Sequence, residues 1–244
     1  MNRQGLFVSD FHMFTRRSVA AGLGNALDLA ASESDIVVFG GDLIDFKWST
    51  WPDTEQTIAN GVSWVSNFLA RHPQRQVIYL VGNHDCHPRF LDRLRALADQ
   101  HDTFELFEFW LRLDDTVFLH GDVIHGQPQH AALEAQRKLW EQHRTQGRIA
   151  NLLYDAVFAA RIPRWVARWS SQPETICPKL AAYLDDIGQG KASGTNRVYF
   201  GHTHHPVDGY EFEGMQFFNP GAPLKHMSYN LLRFPITGDR RDGR

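Results

Sequence analysis

The sequence predicts an α/β fold, and three observations carry that prediction. Short β-branched and aromatic runs alternate with helical patterns through the first half of the chain, as in βαβ units around a largely parallel sheet. Residues 126–192 then carry helix signals and no convincing strand. After 197 the strand pattern resumes, so 126–192 is expected to be a helical insertion (a cap) in one α/β core made of 1–125 and 193–244.

Leu6-Phe7-Val8 is the first expected strand. Residues 16–31 follow as a helix, with Val19, Leu23, Leu27 and Ala30 on one face. Ile36-Val37-Val38-Phe39 is the second strand. Residues 54–72 place Ile58, Val62, Val65 and Leu69 on one helical face, with Asp53 and Thr54 as N-cap candidates. Val77 to Val81 is the third strand, and 88–100 a helix with Phe90, Leu94 and Leu97 inward and Pro88 in its first turn. Val117-Phe118-Leu119 closes the first half. In the insertion, Ala131 to Arg148 is charged and Gln-rich, Leu152 to Ala160 apolar, Pro163 to Trp169 aromatic and basic, and Lys179 to Ile187 a short helix stopped at Gly188. The closing strands are 197–200, 210–213, 215–218 and 228–234, with a tight turn at Gly214. The polar tail 238–244 is expected to fray.

The chain of 244 residues is long enough for a full core without staples. A hydrophobic fraction of 43% and a charged fraction of 22% fit an ordinary globular protein, and a net charge of −3 lacks the basic excess of a nucleic-acid binder. Cys86 and Cys177 make neither a disulfide framework nor a zinc knuckle. Cys86 adjoins His84-Asp85, but a buried thiol is its commoner role. No leader pattern and no run long enough to span a bilayer is present, so a cytoplasmic location is expected.

Five of the apolar runs end in residues that bind cations. They lead into Asp10-Phe11-His12, Gly40-Gly41-Asp42, Gly82-Asn83-His84-Asp85, His120-Gly121-Asp122 and Gly201-His202-Thr203-His204. Strands that stop on one sheet edge bring such residues together, and Asp, His and Asn without Cys suit borderline and hard divalent cations. Asp10 and His12, like His202 and His204, are two apart, which in an extended segment points both the same way. Asp42 follows two glycines, which let the backbone approach an ion closely, and its two oxygens make it the natural bridge between two cations. Asp122 either holds His120 or caps the next segment. His125 and His226 lie within reach of a substrate, while His205 is expected to be an exposed neighbour.

These five motifs, in this order, resemble those of the calcineurin-like metallophosphoesterase superfamily. The resemblance covers roughly 5–122 and 197–222. It implies a four-layer arrangement, a β-sandwich flanked by helices, with two metals on the strand-end loops. One metal would be held by Asp10, His12, Asp42 and His204, the other by Asp42, Asn83, His120 and His202. Manganese is the first expectation, with magnesium, zinc or iron as alternatives. The implied reaction is phosphoester or pyrophosphate hydrolysis by a metal-activated water, with His84 acting as an acid toward the leaving oxygen and Asp85 orienting it. Other members of the superfamily cleave nucleotides or phosphoproteins, and a catalytically silent scaffold would be expected to have lost ligands that are all present here.

Within the superfamily, Gly41 to Trp48 and the helical insertion resemble the UDP-2,3-diacylglucosamine pyrophosphatase family of lipid A biosynthesis. The best-known branch of that family carries Arg after the motif Asn, where this chain has His84-Asp85. A phosphorylated small-molecule or lipid substrate is implied, with no nucleic-acid partner. Arg16, Arg17, Lys47, His125, Arg164 and Trp165 are candidate substrate contacts. In the insertion, Leu152-Leu153-Tyr154, Val157-Phe158 and Ile162 precede Arg161, Arg164, Trp165, Arg168 and Trp169. Such a pattern suits peripheral contact with the inner face of a membrane, or a grip on a phosphorylated lipid. It equally suits docking of the cap on the core, the commoner role.

Overall fold

The computed structural model describes residues 3–51, 53–142, 145–159, 171–238 and 241–244. Two sheets pack face to face. The first has the order β10-β1-β2-β3-β4, built from β1 (Gln4–Val8), β2 (Ile36–Gly40), β3 (Gln76–Leu80), β4 (Phe104–Phe107) and β10 (Leu232–Pro235). Its strands β1 to β4 run parallel, and β10 pairs antiparallel with β1. The second has the order β11-β5-β6-β7-β9-β8, from β5 (Trp110–Leu113), β6 (Thr116–Leu119), β7 (Arg197–Phe200), β8 (Val207–Phe212), β9 (Met215–Asn219) and β11 (Arg241–Gly243).

Phe7, Val38, Ile78, Leu80, Leu111, Phe118, Tyr199 and Phe234 fill the space between the sheets. The outer face of the first sheet is covered by α1 (Gly24–Ser32), α2 (Thr54–Arg71) and α3 (Pro88–Ala98), through Leu27, Ile58, Val65, Phe68, Phe90 and Leu94. The outer face of the second is covered by α4 (His130–Glu141) and α6 (Pro173–Asp186), through Leu133, Ile176, Leu180 and Leu184. The result is the expected four-layer sandwich with helices outside. Both faces of the first sheet are covered, which is why its central strands β2 and β3 are continuous apolar runs with no alternation.

Among the described residues of 126–192 there are helices and no strand. They do not share one role. The helices α4 and α6 form an outer layer of the sandwich, while α5 (Arg148–Ala159) places Tyr154 and Phe158 against Ala222, Leu224 and Met227 beside the strand ends. The side chains of Arg161, Ile162, Arg164, Trp165, Arg168 and Trp169 lie outside the described residues.

Several expected boundaries are corrected. The helix expected over 16–31 starts as a 3-10 turn at Ala20–Leu23 and becomes α-helical at Gly24. The preceding residues are held as a loop instead: Met13 bridges Ile44, Ser18 bridges Leu224, and His12 and Phe14 adopt left-handed conformations. The tail does not fray. Arg241–Gly243 pairs with β5, where Arg112 and its neighbours leave an edge to be filled. The strands β4 and β5 are additions to the expected set, each only four residues long and so a weak signal in the sequence. Helix α2 is capped as expected, Asp53 accepting from the Glu55 N–H, and the β8–β9 turn has left-handed Glu213 and Gly214, the twist a tight hairpin needs.

Candidate dimetal site

The loops after β1, β2, β3, β6 and β7 meet on one edge, tied by main-chain bonds from Asp10 N to Gly41 O, from His12 N to Asp42 O and from Gly201 N to His120 O. The expected ligands are all brought together there, but not by extended geometry. Asp10, His12, Asp42, His202 and His204 all have φ between +44° and +68°. The pairs Asp10/His12 and His202/His204 therefore converge because the chain turns through left-handed residues, which L side chains disfavour. Two glycines make the crowding tolerable. A Cβ on Gly82 would lie 2.2 Å from Asp42 Oδ1, and one on Gly41 would lie 2.6 Å from His120 Nδ1.

Three clusters of side-chain donors result: Asp10, His12 and His204; His12, Asp42 and His84; and Asp42, His120 and His202. His12 Nε2 and His204 Nε2 face each other at 2.9 Å, and His204 Nε2 lies 3.4 Å from Asp10 Oδ1. His120 Nε2 lies 3.2 Å from Asn83 Oδ1, 3.3 Å from His202 Nδ1 and 3.3 Å from Asp42 Oδ2. Asp42 Oδ2 is also 3.8 Å from His12 Nε2, so it stands between the two sets. Buried Asp42 Oδ2 and His202 Nε2 have no hydrogen-bond partner among the described residues. Burying such atoms unpaired is costly, and a cation removes the cost.

The outer atoms of the ligands are already engaged. His12 Nδ1 donates to Asp45 Oδ2 at 3.1 Å and His120 Nδ1 to Gly40 O at 2.9 Å, which turns each Nε2 lone pair inward. Asp10 accepts from Ser9 Oγ and from His202 N. Burial and the His120 charge push His202 down to about 3, so it is neutral and able to ligate. For Asp42, burial raises the pKa but the surrounding imidazoles outweigh it and hold the carboxyl well below its usual range. His120 shows the converse: burial opposes its charge, yet Asp42 and Asp10 lift it to about 10. Carboxylates that favour a proton on His120 favour a metal cation in its place. The donor set, the unpaired atoms and the glycine cradles all fit two divalent cations.

His84 lies half-buried beside this centre. Its N–H donates to Asp42 Oδ1 at 2.8 Å and its ring meets that of His12 edge-on at 4.9 Å. Asp85, expected to orient it, does not. The Asp85 carboxylate accepts from Tyr79 Oη, Leu43 N and Gly82 N, and so fastens the Asp42 and Asn83 loops to each other. The Asp85 side chain folds back into the core, and the acid beside His84 is Asp45, with Oδ1 3.0 Å from His84 Nδ1. Burial lowers the His84 pKa, but Asp45 and Asp42 reverse this and raise it to about 9. Asp45 thus serves two histidines. Its only mark in the sequence is a second acid three residues after Asp42.

Asn219, the last residue of β9, is a second positioning residue. Its Nδ2 donates to Gly201 O and Thr203 Oγ1 at 2.7 and 3.1 Å, fixing the His202–His204 turn. Asp122 neither holds His120 nor caps a helix. It forms a two-pronged buried pair with Arg137 of α4, both distances 2.9 Å. Cys86 is a buried thiol whose Sγ faces Asn83 O.

The candidate substrate contacts separate. Arg17 lines the site cavity with His12, His84 and His204, while half-exposed Arg16 lines a different groove with Ser49 and Trp51. Lys47 Nζ lies over Trp140, whose ring is 4.9 Å from that of His84. His125 packs edge-on against His202 at 4.7 Å, and His226 is exposed. Arg164 and Trp165 lie outside the described residues.

Paired clusters of Asp, His and Asn on the shared edge of a sandwich define a dinuclear phosphoesterase-type centre. The chain belongs to the calcineurin-like phosphoesterase family, whose model matches residues 6–206, and is a metal-dependent phosphoesterase. A comparison with curated protein sequences finds no match. Among solved structures, a dimetal phosphatase from Danio rerio is similar at 12% identity and a TM-score of 0.49, covering 99% of this chain and 98% of that one.

Proposed function

We propose that the chain hydrolyses a phosphoester or pyrophosphate bond in a phosphorylated small molecule or lipid-linked substrate of the UDP-2,3-diacylglucosamine type, with manganese as the resident metal. The observation that carries a two-cation hydrolase is Asp42 Oδ2, buried without a hydrogen-bond partner among the described residues and placed between His12 and His120. Asp10, His12, Asp42 and His204 would hold one cation, and Asp42, Asn83, His120 and His202 the other. When bound, such cations neutralise phosphoryl charge and make water nucleophilic near neutral pH.

The chain's own residues supply the rest. With Nδ1 donating to Asp45, His84 has Nε2 free to give a proton to a departing oxygen, and the adjacent carboxylates keep it protonated at neutral pH. Asp45 fixes its ring. Trp48, Tyr154 and Phe158 form an aromatic wall of the cavity that His12, His84 and His204 line. Support for a lipid-linked substrate comes from α5, whose Ile149, Leu152 and Leu153 are exposed beside the site. The same face supports peripheral contact with a membrane from the cytoplasmic side; no described helix is long and apolar enough to cross one. No basic stripe favours a nucleic-acid substrate.

A hydrolysis panel with UDP-diacylglucosamine, nucleotide pyrophosphates and aryl phosphodiesters and monoesters, run with each divalent metal, tests this. Turnover of the lipid-linked pyrophosphate above the others is expected. Faster cleavage of a simple diester or monoester would remove the lipid reading, and two bound metals with no hydrolysis would remove the enzyme reading.

A further inference from the structure

Arg17 is 3% exposed, and its guanidinium lines the same cavity as His12, Asp45, His84 and His204. A buried guanidinium needs acceptors for its N–H groups. Nη1 donates to Asp155 Oδ1 at 2.8 Å, but buried Nη2 has no hydrogen-bond partner among the described residues. Around the cation stand the rings of Tyr154 at 4.4 Å, Trp48 at 5.2 Å and Phe158 at 5.7 Å. Tyr154, Asp155 and Phe158 all come from α5, and Tyr154 stacks on Trp48 at 4.4 Å. The cavity lined by Arg17, Trp48, Tyr154 and Phe158 is about 40 Å³, room for about one water and too little for a phosphoryl group.

We propose that Arg17 binds a phosphate oxygen of the substrate, and that Asp155 stands in for that anion, latching α5 over the site until phosphate displaces it. This rests on the phosphohydrolase reading above. The asymmetry of burial supports it: the Arg17 side chain is 4% exposed and that of Asp155 26%, so the carboxylate is the partner that can return to water. The guanidinium stays paired in both states and is never left as a lone buried charge. Phosphate offers several acceptor oxygens and can engage Nη1 and Nη2 together, whereas Asp155 satisfies Nη1 alone. That difference biases the exchange toward substrate. Among the described residues, the lifting of α5 is opposed by the apolar cluster of Tyr154 and Phe158 with Ala222, Leu224 and Met227, by the Tyr154–Trp48 stack and by the half-exposed Arg16, 3.7 Å from Asp155.

The test is calorimetric titration of inorganic phosphate into the manganese-loaded full chain, its Asp155→Asn and Arg17→Gln variants, and Arg17→Lys as a charge-conserving check. Asp155→Asn is expected to tighten phosphate about fivefold or more and to lower KM, because apparent affinity scales with the unlatched fraction. Arg17→Gln should weaken it about tenfold or more, with Arg17→Lys between. Amide exchange in α5 should quicken when phosphate is added to the wild type and be fast from the start in Asp155→Asn. Asp155 is partly exposed, so its variant is expected to fold even where Arg17→Gln does not. Phosphate affinity unchanged or weakened in Asp155→Asn overturns the latch, and if phosphoesters are still cleaved the phosphohydrolase reading stands. Tightened phosphate binding with no cleavage of any ester by the wild type keeps the latch and removes that reading.

Discussion

Asp45 and His84 are joined by a 3.0 Å contact from Oδ1 to Nδ1, while the other oxygen of the same carboxylate meets His12 Nδ1 at 3.1 Å. One acid therefore orients both the proposed proton donor and a candidate cation ligand. His84→Ala should keep two metals and lose about 10²-fold in turnover, the range for a removed general acid. Asp45→Asn should lose at least as much and also weaken metal binding through His12. Steady-state kinetics with metal analysis checks this; an Asp45→Asn enzyme with wild-type turnover would remove Asp45 from the mechanism.

Asp42 is placed to serve both cation positions. Asp42→Ala should lower occupancy of both metals, measured by elemental analysis of dialysed protein. Full occupancy of two metals in that variant would refute the bridging role.

Asn219 ties down the turn that carries His202 and His204. Asn219→Ala should reduce metal affinity by about 10–100-fold, the usual effect of losing a residue that orients ligands. Competition with a metallochromic indicator measures it, and unaltered affinity would reduce Asn219 to a loop residue.

The buried Asp122–Arg137 pair clamps α4 to the β6 loop. Arg137→Ala leaves Asp122 buried and alone, and should cost about 3–5 kcal/mol in denaturant unfolding. The pH sign also follows. Burial raises the Asp122 pKa, but Arg137 outweighs it and brings the folded value down to about 2, below the unfolded value near 3.8. Stability from this pair is full above about pH 4 and is lost as pH falls toward 2. An Arg137→Ala protein should lack that part of the acid dependence; identical acid unfolding curves would contradict the assignment.

Chelation should lower thermal stability, since buried Asp42 and His202 atoms lose the cation that pairs them. Restoring metal to about 100 times its Kd should return about 2.7 kcal/mol per site. A melting temperature indifferent to chelator would show that the folded state does not use the metals.

The clustering of Asp10, His12, Asp42, Asn83, His120, His202 and His204 was legible because each lies just after a strand with a clear apolar run, and strand ends converge by topology. The means of convergence was not legible. Spacing of two suggested an extended segment, whereas Asp10 and His12 meet through positive φ, which no periodicity announces. Asp85 differs for another reason: adjacency to His84 says nothing about where its side chain goes, and Tyr79 Oη, Leu43 N and Gly82 N draw it inward. Asp45 and Asn219 act across 39 and 16–18 residues, so only the folded chain reveals them. The strand Arg241–Gly243 has little apolar signal of its own and exists because β5 offers it an edge.

The left-handed ligand residues set stability and function against each other. Glycine at position 10, 12, 42, 202 or 204 would suit the backbone better than the Asp or His found there, yet would delete a ligand. A campaign that ranked variants by melting temperature in chelator would therefore reward loss of the centre one residue at a time. Only selection with metal present would reveal why the chain keeps these residues.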